Sequence, residues 1–226
     1  MPKPKDLERH SHISGVPIHY ARAPVASYGS MGEPRRPRCI PSFYKKLQEW
    51  MDDFALRCPL GRPKVLVTAG MYVDKRGAHG LGRAIDIDSL WWKMFEGEPP
   101  PVITCNAKQD AGRYLGTEAH IRMFFGTCIN YWTNRAHRDH WHIDDVGRYG
   151  EVGFMPDSSS EVVFAQAACL FVHGTNPGPL DRKWGPKTRA GIGEVVSGDI
   201  RDKETWLEFL RLTFLRGWHC AENPWA

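Results

Sequence analysis

The sequence has no run of eighteen apolar residues, roughly the length a helix needs to cross a membrane, so no membrane span is expected. Positive charge marks Met1 to His10, but the apolar stretch of a secretory signal peptide does not follow it. The expectation is a chain made in the cytoplasm and not passed to the general secretory route. No Cys-x-x-Cys pair occurs; the six cysteines, at 39, 58, 105, 128, 169 and 220, stand far apart, without structural-zinc or dithiol spacing. In a reducing compartment they are buried thiols, and in an oxidising one their even number permits disulfides that spacing cannot assign. Net charge is small, at +4, and Lys and Arg form no stripe interleaved with aromatics, so no nucleic-acid partner is expected. A modest positive charge suits an anionic polymer such as bacterial cell wall without requiring one.

What is present is globular: 226 residues, 42% hydrophobic and 12% aromatic, enough for one catalytic domain of about 150 residues and a small companion. Residues 1–38 carry Pro2, Pro4, Pro17, Pro24, Pro34 and Pro37 and read as an extended arm. Pro41 and Ser42 open a helix, with Ser42 as N-cap and Phe43, Leu47, Trp50, Met51 and Phe54 at helical spacing as its core stripe. Cys58 to Pro63 breaks that helix, and Val65 to Ala69 is a short apolar run of strand character. The aromatic run Leu90 to Phe95 either lines a cleft or caps a sheet. Glu98 to Pro101 reads as a turn, residues 109–132 as one or two helices, and 147–160 as a linker.

The chemistry concentrates in two stretches. In the first, His79 and Asp86 offer an imidazole nitrogen and a carboxylate oxygen, both ordinary ligands of a divalent cation. Gly80 and Gly82 let the chain turn tightly between them, and residues 84–88 alternate like a half-buried strand. Ile85 and Ile87 then share one face, and Ala84, Asp86 and Asp88 the other. In the second stretch, an extended 140–144 puts His140, His142 and Asp144 on one side and Trp141 and Ile143 on the opposite side. Pairing of the two strands in one sheet brings Asp86 and His142 to the same ion. Any one histidine taken alone is more often a surface or hydrogen-bonded core residue than a ligand.

Ala78-His79-Gly80-Leu81-Gly82-Arg83-Ala84-Ile85-Asp86, followed by His140-Trp141-His142, resembles the His-x-x-Gly-x-Ala-x-Asp and His-x-His motifs of the zinc peptidases grouped with D-Ala-D-Ala carboxypeptidases, the extensin-like C-terminal domain and the hedgehog-type fold. The match covers about residues 60–146, with Ala78 where serine is common. The resemblance implies Zn2+ held by His79, Asp86 and His142, with water in the fourth position. It also calls for a general base, for which the chain has His140 and Asp139. His140 is favoured because alternation puts it on the ligand face, and Asp139 is the second choice. Arg76, or Lys75 beside it, stands where a cation stabilises the oxyanion.

Beyond the linker, Val162 to Phe171 is an apolar stretch of helical length. The run that follows is similar to the repeat of small three-helix peptidoglycan-binding domains at Pro177-Gly178, Asp181, Trp184-Gly185-Pro186, Thr188, Ala190 and Ile192. Arg182 stands where that repeat has glycine, which puts the loop geometry in question. Glu204 to Trp218 reads as an amphipathic helix docking on the preceding module. The expected fold is therefore α+β: a small antiparallel sheet with flanking helices in a peptidase domain over 1–155, core about 40–147, then a helical wall-binding module over 156–226. The expected activity is hydrolysis of a peptide bond in the stem peptide or cross-link of bacterial peptidoglycan. Without an export signal, such an enzyme reaches the periplasm or cell wall as a phage lysin after lysis or as an injected antibacterial effector, with an immunity protein or a tail or secretion component as further partners. The alternative is a non-catalytic wall-binding or structural protein with a vestigial metal site.

Overall fold

The computed structural model describes residues 4–92, 101–147, 150–220 and 225. The run Lys93 to Phe95, the turn expected from Glu98 and the linker residues Arg148 and Tyr149 lie outside them.

The α+β class is observed, with five α-helices among the described residues. The sheet is neither small nor wholly antiparallel. Its path runs β2 (His12–Ile13), β3 (Val16–Tyr20), β6 (Val65–Gly70), β7 (Ala84–Trp91), β10 (Trp141–Asp144) and β9 (Thr127–Ile129). Two short strands attach at the sides, β4 (Glu33–Pro34) to β3 and β8 (Val102–Ile103) to β7. The pair β3–β6 is parallel. The enlargement comes from the segment expected to be an extended arm: Val16 and Ile18 alternate into the core, so β3 adds to the sheet despite Pro17. A separate ribbon pairs β1 (Glu8–Arg9) with β5 (Arg38–Cys39).

Helix α1 (Pro41–Arg57) buries the five expected residues, Phe43, Leu47, Trp50, Met51 and Phe54. Its N-cap is Ile40 rather than Ser42, because Pro41 fits the first helical position, where its missing N–H is not needed. It stops at Cys58, which is extended ahead of Pro59. Trp92 is core, its ring 5.3 Å from Trp218 and its indole nitrogen donating to the Gly61 carbonyl, so this part of the aromatic run caps the sheet.

The region 109–132 resolves into α2 (Ala111–Arg122) and the strand β9. Two further helices, α3 (Ser159–Ala168) and α4 (Pro186–Gly193), lead to α5 (Lys203–Gly217). Helix α5 packs on α3 through Trp206 and Phe164 but also lies along α2, where glycines allow close approach. A Cβ at Gly217 would collide with the Gly112 carbonyl and sit 3.0 Å from Gly116. Arg182 adopts φ 65°, the left-handed conformation that favours glycine. Its N–H donates to Gln166 Oε1 at 3.1 Å and its guanidinium to the Thr133 carbonyl at 3.1 Å, so hydrogen bonds hold the loop geometry that glycine would take unaided.

A second, smaller apolar cluster covers the other side of β6. There Ala21, Val65 and Val67 pack with Ala26, Met31 and Trp91, seating residues 21–31 against the sheet. All six cysteines are free thiols, four of them buried.

Candidate metal centre

Strands β7 and β10 pair antiparallel with His142 directly opposite Asp86, so register alone sets these side chains next to each other. The alternate residues Trp141 and Ile143 are buried, Trp141 with its ring 4.6 Å from Tyr114 of α2. His79 arrives from a short 3-10 turn, His79–Leu81, in the loop between β6 and β7. Gly82 ends that turn at φ 66°, where a side chain would stand 2.7 Å from Leu7, and a Cβ at Gly80 would collide with the Lys75 carbonyl. The glycines are thus required by packing of the loop.

His79, Asp86 and His142 each offer one ligand atom, all within 4.8 Å of one another. His79 Nε2 lies 3.1 Å from Asp86 Oδ1 and 3.1 Å from His142 Nδ1, and His142 Nδ1 lies 2.9 Å from Asp86 Oδ1. Both rings are oriented from behind. The Met71 carbonyl only accepts, so His79 donates to it from Nδ1; His142 donates from Nε2 to Asp144 Oδ2 at 3.1 Å. In their neutral forms, both imidazoles then aim a lone pair at a carboxylate oxygen. Three acceptors face one another with no donor between them, an arrangement that only a cation relieves, either a proton or a metal ion.

The proton affinities agree. Burial works against ionisation of Asp86, yet hydrogen bonds from His142 and His79, formed when a proton occupies the cluster, hold its carboxyl well below the usual range. Burial likewise works against charge on His142, but Asp144 and Asp86 outweigh it and raise the imidazole to about 9. Two nitrogens and an oxygen, partly buried and backed by a carbonyl and a carboxylate, fit a divalent cation.

His140 lies on the ligand face, with Nε2 3.7 Å from Asp86 Oδ1. Its Nδ1 is 2.8 Å from Asp139 Oδ1, so the two residues weighed as alternatives form one unit: Asp139 stands behind the ring and His140 faces the centre. Burial opposes ionisation of Asp139, while the bond from His140 and the charge of Arg22 bring its proton affinity down. Arg22 donates to Asp139 Oδ2 at 2.8 Å and grips both oxygens of buried Asp88 at 2.9 and 2.6 Å. The Tyr28 hydroxyl donates to the Asp139 carbonyl at 2.6 Å.

Arg22 and Tyr28 come from the segment read as an arm, and no local pattern in it announces them. Arg76 and Lys75 are exposed on the 73–77 loop, and neither side chain bonds to the three ligands. His137 stays outside the ligand set. Its ring is 4.9 Å from that of His140, and burial, then the charges of His140 and His142, push it down to about 4. His120 is fully buried and bonded to Asp53 at 3.0 Å, a core histidine.

Comparison of the chain with family models, curated proteins and solved structures found no match. The functional reading rests on the residues themselves.

Proposed function

We propose that the chain is a zinc-dependent peptidase that cuts a peptide bond in the stem peptide or cross-link of bacterial peptidoglycan. The observation that carries the reading is the convergence of His79 Nε2, Asp86 Oδ1 and His142 Nδ1, which with neutral imidazoles have no donor among them. Two imidazoles and one carboxylate favour zinc over calcium or magnesium, which prefer all-oxygen sets, and a three-ligand site leaves a position open. Bound there, zinc would lower the pKa of a water and polarise a carbonyl.

The chain's own residues supply the proton handling. His140, beside the ligands, accepts a proton at Nε2 from the attacking water and returns it to the departing nitrogen. Asp139 fixes the required tautomer by taking the Nδ1 hydrogen, and Arg22 fixes Asp139. The motif likeness to the D-Ala-D-Ala peptidase group directs the choice of amide substrate, and the likeness of residues 177–192 to wall-binding repeats directs the choice of wall. Delivery as a lysin or an injected effector belongs to the same proposal, with an immunity protein or a tail or secretion component as partner.

The test is digestion of purified peptidoglycan with metal-replete and chelator-treated protein, read by new amino groups and by mass spectrometry of released fragments. Products only in the metal-replete sample are expected. Equal product in both samples would overturn the metal requirement. Sedimentation with the wall without product would assign a non-catalytic wall-binding role.

A further inference from the structure

We propose that a basic groove beside the metal centre binds the free carboxylates of an acidic peptide chain. Arg9 of β1, Arg35 and Arg36 after β4, and Arg38 of β5 line a groove of about 290 Å³ together with Tyr20 and Tyr72. All four arginines are exposed, and among the described residues none forms an ion pair with a carboxylate. Arg9, Arg35 and Arg38 are held by neutral partners instead. The Arg35 guanidinium lies 5.1 Å over the Tyr20 ring and that of Arg38 5.1 Å over Tyr72, while Arg9 donates to the Arg36 carbonyl at 3.3 Å. A guanidinium held over a ring by its charge keeps N–H donors available, and such donors grip a carboxylate bidentately. Four like charges gathered without neutralisation repel one another, and an anionic ligand relieves that repulsion.

The rest of the lining, the end of β6 and the residues that follow, ties the groove to the candidate site. There Thr68 donates to the Asp86 carbonyl at 2.6 Å, Gly70 pairs with Asp86, and Met71 accepts the hydrogen bond of His79. A chain lying in the groove therefore runs along the backbone that orients two of the three ligands. A peptide is favoured over a nucleic acid because Arg35 and Arg38 cover the tyrosine rings on which bases would stack. The choice of a peptide also rests on the peptidase reading, since stem peptides of the wall carry free carboxylates.

The experiment measures fluorescence anisotropy of a labelled glutamate-rich peptide, its glutamine twin and oligo(dT) of matched length. Each is titrated with the full chain, both metal-replete and chelator-treated. The glutamate peptide is expected to bind about tenfold more tightly than its twin, and R35Q/R38Q to lose about tenfold, with the difference shrinking as salt rises. R36Q removes a charge whose side chain bonds to nothing among the described residues, and is expected to weaken binding about threefold. Thermal melts matching the native chain show that both variants fold. Equal affinity for the twin peptides, unchanged affinity in both variants, or tighter binding of oligo(dT) would each overturn the groove. Wall digestion by the same proteins separates the two proposals. Charge-dependent binding without metal-dependent cleavage leaves the groove and removes the peptidase; cleavage with charge-independent binding does the reverse.

Discussion

Glu118, Arg122 and Asn130 form one buried polar cluster and His79, Asp86 and His142 another, and the two are wired differently. In the first, every acceptor meets a donor. Glu118 takes bonds from Arg122 at 2.9 Å and from Asn130 at 2.9 and 3.0 Å, and Arg122 donates onward to the Cys128 carbonyl at 2.6 Å and Ser160 Oγ at 2.9 Å. In the second, with both imidazoles neutral, three acceptors meet each other. A closed network ties α2, β9 and α3 together and needs nothing from outside. An open one is stable only with a cation among its acceptors, a proton held on His142 or a metal ion in its place.

The comparison breaks most sharply in the open cluster. His142→Ala is expected to reduce bound metal, read by elemental analysis, to background and to lower wall hydrolysis by at least about a thousandfold, while circular dichroism stays native. Full metal content in this variant would sink the ligand assignment. Next comes the closed cluster. Glu118→Ala strands the Arg122 charge in the core and is expected to cost about 3–5 kcal/mol in urea unfolding, with metal content per folded chain unchanged. If metal and stability fall together, the two clusters are not separable.

The third prediction concerns Glu161, which lies near Arg122. Burial pushes its carboxyl from the ordinary 4.5 up to about 7, against the charge of Arg122. The folded chain therefore holds this proton more tightly than the unfolded chain, so the stability contributed by the group is complete below pH 4.5. It is lost as pH rises through 7, over a range of up to about 3 kcal/mol. Glu161→Gln is expected to remove that slope; an unchanged stability–pH curve would refute it. The smallest effect is expected at Arg22, the closed device behind the open site. Arg22→Gln should lower kcat about 10- to 100-fold and alter its pH profile with metal retained, and Arg22→Lys should recover part of the loss. A change in KM alone would deny Arg22 a positioning role.

Much of this was readable because its causes are local. Strand alternation placed Asp86 against Ile85 and Ile87, and His142 against Trp141 and Ile143, and the observed burial follows it. The core stripe of α1 was equally legible. The stretch read as an arm over 1–38 was misjudged, since its prolines hid short strands that pair mostly with one another and join the main sheet through β3 and β6. Trp92 could be resolved as core only by seeing Phe54 and Trp218 around it.

Periodicity by itself determined which side chains share a face, since that depends only on how each residue turns relative to its neighbours. Folding decided which faces meet. The antiparallel register put His142 across from Asp86, and docking of residues 21–31 carried Arg22 to Asp139, 117 positions away. Those outcomes come from burying apolar surface such as Ala21 and Val67, a force without direction along the chain, and so no short stretch of sequence records them.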